Sequence, residues 1–206
     1  MGTWKQKLHF QLRDILVNSR NRKRLVNKDF SIFSNDCLGG VICKDLKVRM
    51  DSPTRNLFFS AQDYIKFLTD PEYYLSLEMK ETEDTSVSYP CAMLGDLKLY
   101  LVHYPSFQEA HDKWEIRKQR LHFDNLYVLM DDRNGCTEEH IKAFEALPYK
   151  HKVFLSHIPY PQYPSVVYIK GSESDPYLKV VTDYTRRFTM ERYYDRFDFV
   201  SWLNQK

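Results

Sequence analysis

Two adjacent carboxylates, Asp131 and Asp132, follow an almost wholly apolar run from Leu126 to Met130. A buried strand that ends in acids delivers them to the mouth of an α/β sheet. There a carboxylate pair can hold a divalent cation, Mg²⁺ or Mn²⁺, and the cation can neutralise a diphosphate. The same residues also fit an Asp-rich turn closed by Asn134-Gly135. Cys37 and His103 make a second constellation. A helix beginning just after Asp36 would lower the thiol pKa through its dipole and make Cys37 a nucleophile. His103, at the end of another strand, is the best-placed base, with Asp96 or Asp124 to orient it, which would be acyl-transfer chemistry. A small buried cysteine at a strand–helix junction is the alternative. Trp114, Arg117, Arg120, Asp124 and Asn125 form a third group, running from a helix into the next strand. Arg117 offers a planar guanidinium for bidentate phosphate binding, or else belongs to a solvated helix face.

The elements that must position these residues follow from periodicity and capping. Phe30 to Phe33 reads as the first strand; it ends in Ser34, Asn35 and Asp36, ahead of Cys37, Gly39 and Gly40. Small residues let a ligand approach the backbone, and a helix opening there presents free N–H groups to an anion. Ser60 and Asp63 mark a helix start, and Asp70-Pro71 restarts the helix. Residues 80–88 are polar and read as a loop. Leu97 to Tyr104 reads as a strand, and Ser106 with Glu109 opens the next helix as a capping box. Thr137 caps another helix; Lys152 to Leu155 and Val166 to Ile169 read as two more strands. The tail from Asp183 reads as helical. Strands alternating with helices predict one three-layer α/β domain, a mostly parallel, Rossmann-like sheet flanked by helices, over residues 28–206.

Residues 1–27 read as a basic amphipathic helical extension. Trp4, Leu8, Leu12, Ile15 and Leu16 share one face, and seven Lys and Arg stand against one acid, Asp14, between Trp4 and Arg24. Such a helix either docks on the domain or lies on an anionic membrane surface.

The whole chain has 206 residues, 43% of them hydrophobic and 28% charged, enough to bury a core without metal or disulfides. A net charge of +2 gives no case for nucleic acid as a partner. No apolar run reaches membrane-spanning length, and the polar N-terminus does not read as a secretory signal. Cys37, Cys43, Cys91 and Cys136 lack paired metal-type spacing and read as free thiols. The expected location is therefore cytoplasmic, with the basic helix allowing a peripheral place on the inner face of the membrane.

Several segments together resemble a bacterial family of unknown function often labelled exopolysaccharide or capsular polysaccharide biosynthesis protein. They are Ser34 to Gly40, Ser52-Pro53-Thr54 with Leu57 to Phe59, Asp63 to Leu68, Tyr73 to Leu75 and Tyr89-Pro90. They continue through Leu94 to Asp96, His103-Tyr104, Glu109-Ala110, Lys113-Trp114, Arg117, Asp124 to Leu126, Asp132 to Thr137 and Leu147-Pro148. Asp36, Leu38 and Asn134 depart from the family's usual Asn, large aromatic and Asp. The resemblance implies polysaccharide assembly and supplies no reaction. Together with the residues it predicts sugar transfer from a nucleotide-activated donor to a lipid-linked or oligosaccharide acceptor. Ser34, Asn35, Gly39, Gly40, Ser52 and Thr54 would then line the donor site, with Trp114, Arg117, Asp124, Asn125 and Arg133. Asp131 and Asp132 would hold the cation, and His103 or Asp96 would be the base. Cys37-dependent acyl transfer or hydrolysis on a glycan, and a non-enzymatic glycan-binding or assembly role, remain the other expectations.

Overall fold

The structure is a computed structural model, described for residues 4–186 and 189–205, apart from the side chains of residues 5–7. A helix runs from α1 (Trp4–Arg13) through a π-helical stretch (Asp14–Asn18) into α2 (Ser19–Arg24). Then come β1 (Ser31–Ser34), α3 (Leu38–Leu46), α4 (Ala61–Thr69) and α5 (Pro71–Ser76). A meander follows, β2 (Met79–Thr82), β3 (Cys91–Leu94) and β4 (Leu97–Tyr100). The rest of the domain is α6 (Phe107–Lys118), β5 (Leu126–Asp131), α7 (Glu138–Ala146), β6 (His151–Ser156), β7 (Val166–Tyr168) and α8 (Phe199–Leu203).

The main sheet has the order β1-β5-β6-β7 and is parallel throughout. Its strands alternate their side chains between two apolar layers, as the two-residue period of a strand requires. Phe33, Val128, Met130 and Phe154 pack on one face with α4, α6, α7 and the meander. Ile32, Leu129, Val153 and Leu155 pack on the other with α3, α8 and Leu25. Both faces are covered, which explains why β5 is apolar at every position up to Asp131.

Capping chemistry sets the helix starts as expected. Ser60 Oγ accepts from Asp63 N at 3.0 Å, Asp70 Oδ1 from Tyr73 N at 3.1 Å, and Ser106 Oγ from Glu109 N at 3.3 Å. Three expectations are corrected. The polar stretch at residue 80 begins with a strand: β2 is the edge of a small antiparallel sheet, β2-β3-β4, with only Met79 of its four residues buried. An edge strand solvated along most of its length carries no apolar alternation to read. The strand read from Leu97 to Tyr104 stops at Tyr100 and pairs antiparallel with β3 across Gly95, whose φ of +63° suits glycine. The tail from Asp183 is mostly irregular, with a 3₁₀ turn (Tyr193–Arg196) and α8. Its aromatics pack individually onto the second apolar layer and build no continuous helical stripe.

Candidate functional site

The C-terminal ends of β1, β5 and β6 lie side by side, the place where open parallel sheets bind ligands. Asn35 leaves β1 and meets Asp131 at the end of β5. Asn35 Nδ2 donates to Asp131 Oδ1 at 3.0 Å, and Asp131 N donates to Asn35 Oδ1 at 3.1 Å. This pair zips the two strand ends together. Asp131 is fully buried, and its Oδ2 has no hydrogen-bond partner among the described residues. Burial, and then the nearby Asp36 charge, push its carboxyl well above the usual range. Asn35 and Arg133 act the other way, but they do not offset the desolvation.

Asp132 faces different partners. Its Oδ2 accepts from Ser156 Oγ at 3.1 Å, His157 N at 2.8 Å and His157 Nδ1 at 2.5 Å. Its Oδ1 accepts from Leu178 N at 2.7 Å. A carboxylate only accepts, so this hydrogen bond requires an N–H at His157 Nδ1. Asp132 thus ties β5, β6 and the segment at Leu178 together and orients an imidazole. Asp131 and Asp132 therefore diverge. Among the described residues no group of three or more His, Cys, Asp or Glu is placed to hold a metal ion.

A cleft of about 310 Å³ opens beside these strand ends, lined by Asp36, Cys37, Phe58, His103, Arg133 and Thr182, among others. It brings Cys37, His103 and Arg133 together from three distant parts of the chain. Cys37 is the N-cap of α3, where the helix dipole favours a thiolate. Burial and the adjacent Asp36 outweigh the dipole and push the thiol up to about 12. The shift is thus opposite to the one a nucleophile at a helix start needs. Asp36 Oδ1 accepts from Leu38 N at 2.8 Å and from Ser34 Oγ at 3.2 Å, closing the turn into α3. Gly39 lets that helix lie close on β1: a Cβ there would stand 3.1 Å from Ile32 Cγ2. A Cβ on Gly40 would meet Arg55 Cγ at 3.3 Å.

The remaining expected residues do not join the cleft lining. Ser52 and Thr54 are buried behind β1, where Thr54 Oγ1 accepts from Ser34 N at 3.1 Å and satisfies the outer edge of that strand. Asp96 sits in the β3–β4 turn, at the far end of β4 from His103, ion-paired with Lys66 and accepting from the Tyr74 hydroxyl at 3.1 Å. Trp114 is a core residue. Arg117 donates to the Tyr104 hydroxyl at 2.6 Å. Asp124 and Asn125 line a larger cavity, about 470 Å³, with Asn27 and His151. It lies at the N-terminal ends of β5 and β6, a strand length of roughly 15 Å from Asp131. One end of the sheet thus gathers Asn35, Asp131, Asp132, His157 and the cleft, and the other end holds Asp124 and Asn125. His157 escaped the sequence reading, although Ser156-His157 at the end of a buried strand carried the same signal as Asp131-Asp132.

A parallel α/β sheet with a polar cluster at its strand ends defines the class of protein. Within it, residues 9–204 match the family described as a domain of unknown function (DUF1919), and the chain belongs to that family. It is similar to an uncharacterized protein of Haemophilus influenzae (strain ATCC 51907 / DSM 11121 / KW20 / Rd), 37% identical over 188 residues, which cover 91% of this chain and 90% of the relative. Neither description names a polysaccharide.

Proposed function

We propose that this protein transfers a sugar from a nucleotide-activated donor to a lipid-linked or oligosaccharide acceptor during exopolysaccharide or capsule assembly. One observation carries the reading: the cleft that joins the start of α3, Arg133 and His103 at the C-terminal end of the parallel strands. The first N–H groups of α3 and the Arg133 guanidinium suit a diphosphate. His103 is exposed at the wall of the cleft and is the base that takes the acceptor proton. The bond from the sugar's anomeric carbon to the donor phosphate breaks, the acceptor oxygen takes its place, and the nucleoside diphosphate leaves with the negative charge. Arg133 neutralises that charge in place of a cation held by Asp131 and Asp132. The polysaccharide assignment rests on the segments from Ser34 to Pro148 quoted above.

The test is thermal unfolding against nucleotide-sugars and nucleoside diphosphates, with and without Mg²⁺ or Mn²⁺. A ligand at 100 times its dissociation constant stabilises by about 2.7 kcal/mol and raises Tm by roughly 5–11 °C in a chain of this size. We expect such a shift with one nucleotide class, without added cation, and its loss in Arg133→Ala. His103→Gln keeps the shift and loses transfer, and His157→Gln keeps both. No shift with any nucleotide would sink the reading. Cys37 and His103 also share the cleft, which favours acyl transfer as the second reading. Acyl transfer to, or hydrolysis of, a glycan that is lost in Cys37→Ser, with no nucleotide shift, would bring it forward.

A further inference from the structure

The N-terminal helix docks with its polar side and leaves its apolar side in solvent. Arg13 is buried, with donors to Asp195, the Tyr194 hydroxyl and Asp45. At about 100° per residue, Arg13 lies roughly 180° from Trp4 around the helix. The opposite stripe is open: Trp4 is 75% exposed, Leu8 40%, Leu12 38%, Ile15 66% and Leu16 62%. A surface helix of a globular domain ordinarily does the reverse.

Charge decides what covers the stripe. Arg20 and Lys23 are exposed on the same helix and form no salt bridge among the described residues. The acids around them are already committed. Asp14 is paired with Arg22 and Lys47, Asp195 with Arg13, and Asp198 with Arg24. A second copy docked by two-fold symmetry would set this basic helix against itself, bringing like charges together. An anionic lipid surface accepts both features, with acyl chains for the stripe and headgroup phosphates for the cations. Trp4 at one end suits the headgroup region. Among the described residues no helix is long and apolar enough to cross a membrane, so the contact is one of lying on the surface.

We infer that the outward face of the 4–24 helix seats this protein on an anionic membrane surface. The inference stands independently of the cleft chemistry. The test is co-sedimentation of the full chain with phosphatidylcholine vesicles, with and without phosphatidylglycerol, at roughly physiological ionic strength. Two double variants accompany it, Ile15→Glu/Leu16→Glu and Arg20→Glu/Lys23→Glu, each checked for unchanged melting. All four positions are exposed, so the fold is expected to survive. Expected is binding to the anionic vesicles, weakened about tenfold or more by either double variant and by omitting phosphatidylglycerol. Equal binding of wild type and variants, or no binding by wild type, overturns the inference. So does a wild-type dimer in sedimentation equilibrium that Ile15→Glu/Leu16→Glu dissociates while no vesicle binding is seen.

Discussion

At the scale of single residues, Asp131 and Cys37 show burial winning over chemistry that spacing alone suggests. Asp131 keeps its proton to a pH well above 3.8, the ordinary value it regains when unfolded. Between those two values the folded state holds a proton that the unfolded state has lost, so the residue makes stability fall as pH rises. Asp131→Asn removes that slope while keeping an oxygen for the Asn35 and Arg133 N–H donors. Urea midpoints of wild type, followed from about pH 4 to 8, are expected to fall more steeply than those of Asp131→Asn. Parallel curves would show that Asp131 is ionised in the fold. For Cys37, a shift from 9.0 to about 12 leaves roughly a thousandfold less thiolate at neutral pH. Iodoacetamide should label Cys37 about 10² to 10³ times more slowly in the native protein than in urea, read by mass spectrometry. Equal rates would restore it as a nucleophile.

At the scale of elements, the N-terminal helix is held by its polar contacts. Arg13 reaches the Asp195 carboxylate at 2.5 and 2.9 Å and the Tyr194 hydroxyl at 2.6 Å, and Tyr194 itself donates to Asp45. Arg22 clamps Asp14 at 2.7 Å within the same helix and donates to the backbone oxygen of Asp45 at 2.9 Å. This network joins residues 4–24 to α3 and to the C-terminal segment. Removing the guanidinium leaves the half-buried Asp195 without its partner cation and leaves the buried Asp45 to the longer contact with Arg192, 3.7 Å away. Arg13→Ala is therefore expected to lower stability by about 3–5 kcal/mol, measured by denaturant unfolding. A loss under about 1 kcal/mol would mean that the helix is only loosely attached. Deleting the helix to test membrane binding would disturb the domain as well, which is why outward-facing substitutions make the cleaner probe.

At the scale of the whole molecule, the parallel sheet gathers the chemistry at one end. β1, β5 and β6 are neighbours in space although nearly 100 residues separate β1 from β5. Asn35, Asp131, Asp132 and His157 meet because each is the residue at or just after a strand's C-terminal end. Asp124 and Asn125 stand at the other end, because they precede β5. Being next to the same strand therefore says little until its direction is fixed.

The caps at Ser60, Asp70 and Ser106, the apolar β5 and the α/β class were legible in the sequence, because they depend on local hydrogen bonding and on periodicities of two and 3.6 residues. The acids at the end of β5 and the loop after β1 were legible too, because strand ends are marked by a change from apolar to polar residues. Only the tertiary structure decided that Cys37, His103 and Arg133 share a cleft, and that Asp132 serves His157 rather than Asp131. It also decided that the stripe from Trp4 to Leu16 faces outward. These depend on strand order, burial and contacts between residues far apart in the chain, and no local pattern encodes how far a charge lies from water or which partner reaches it first.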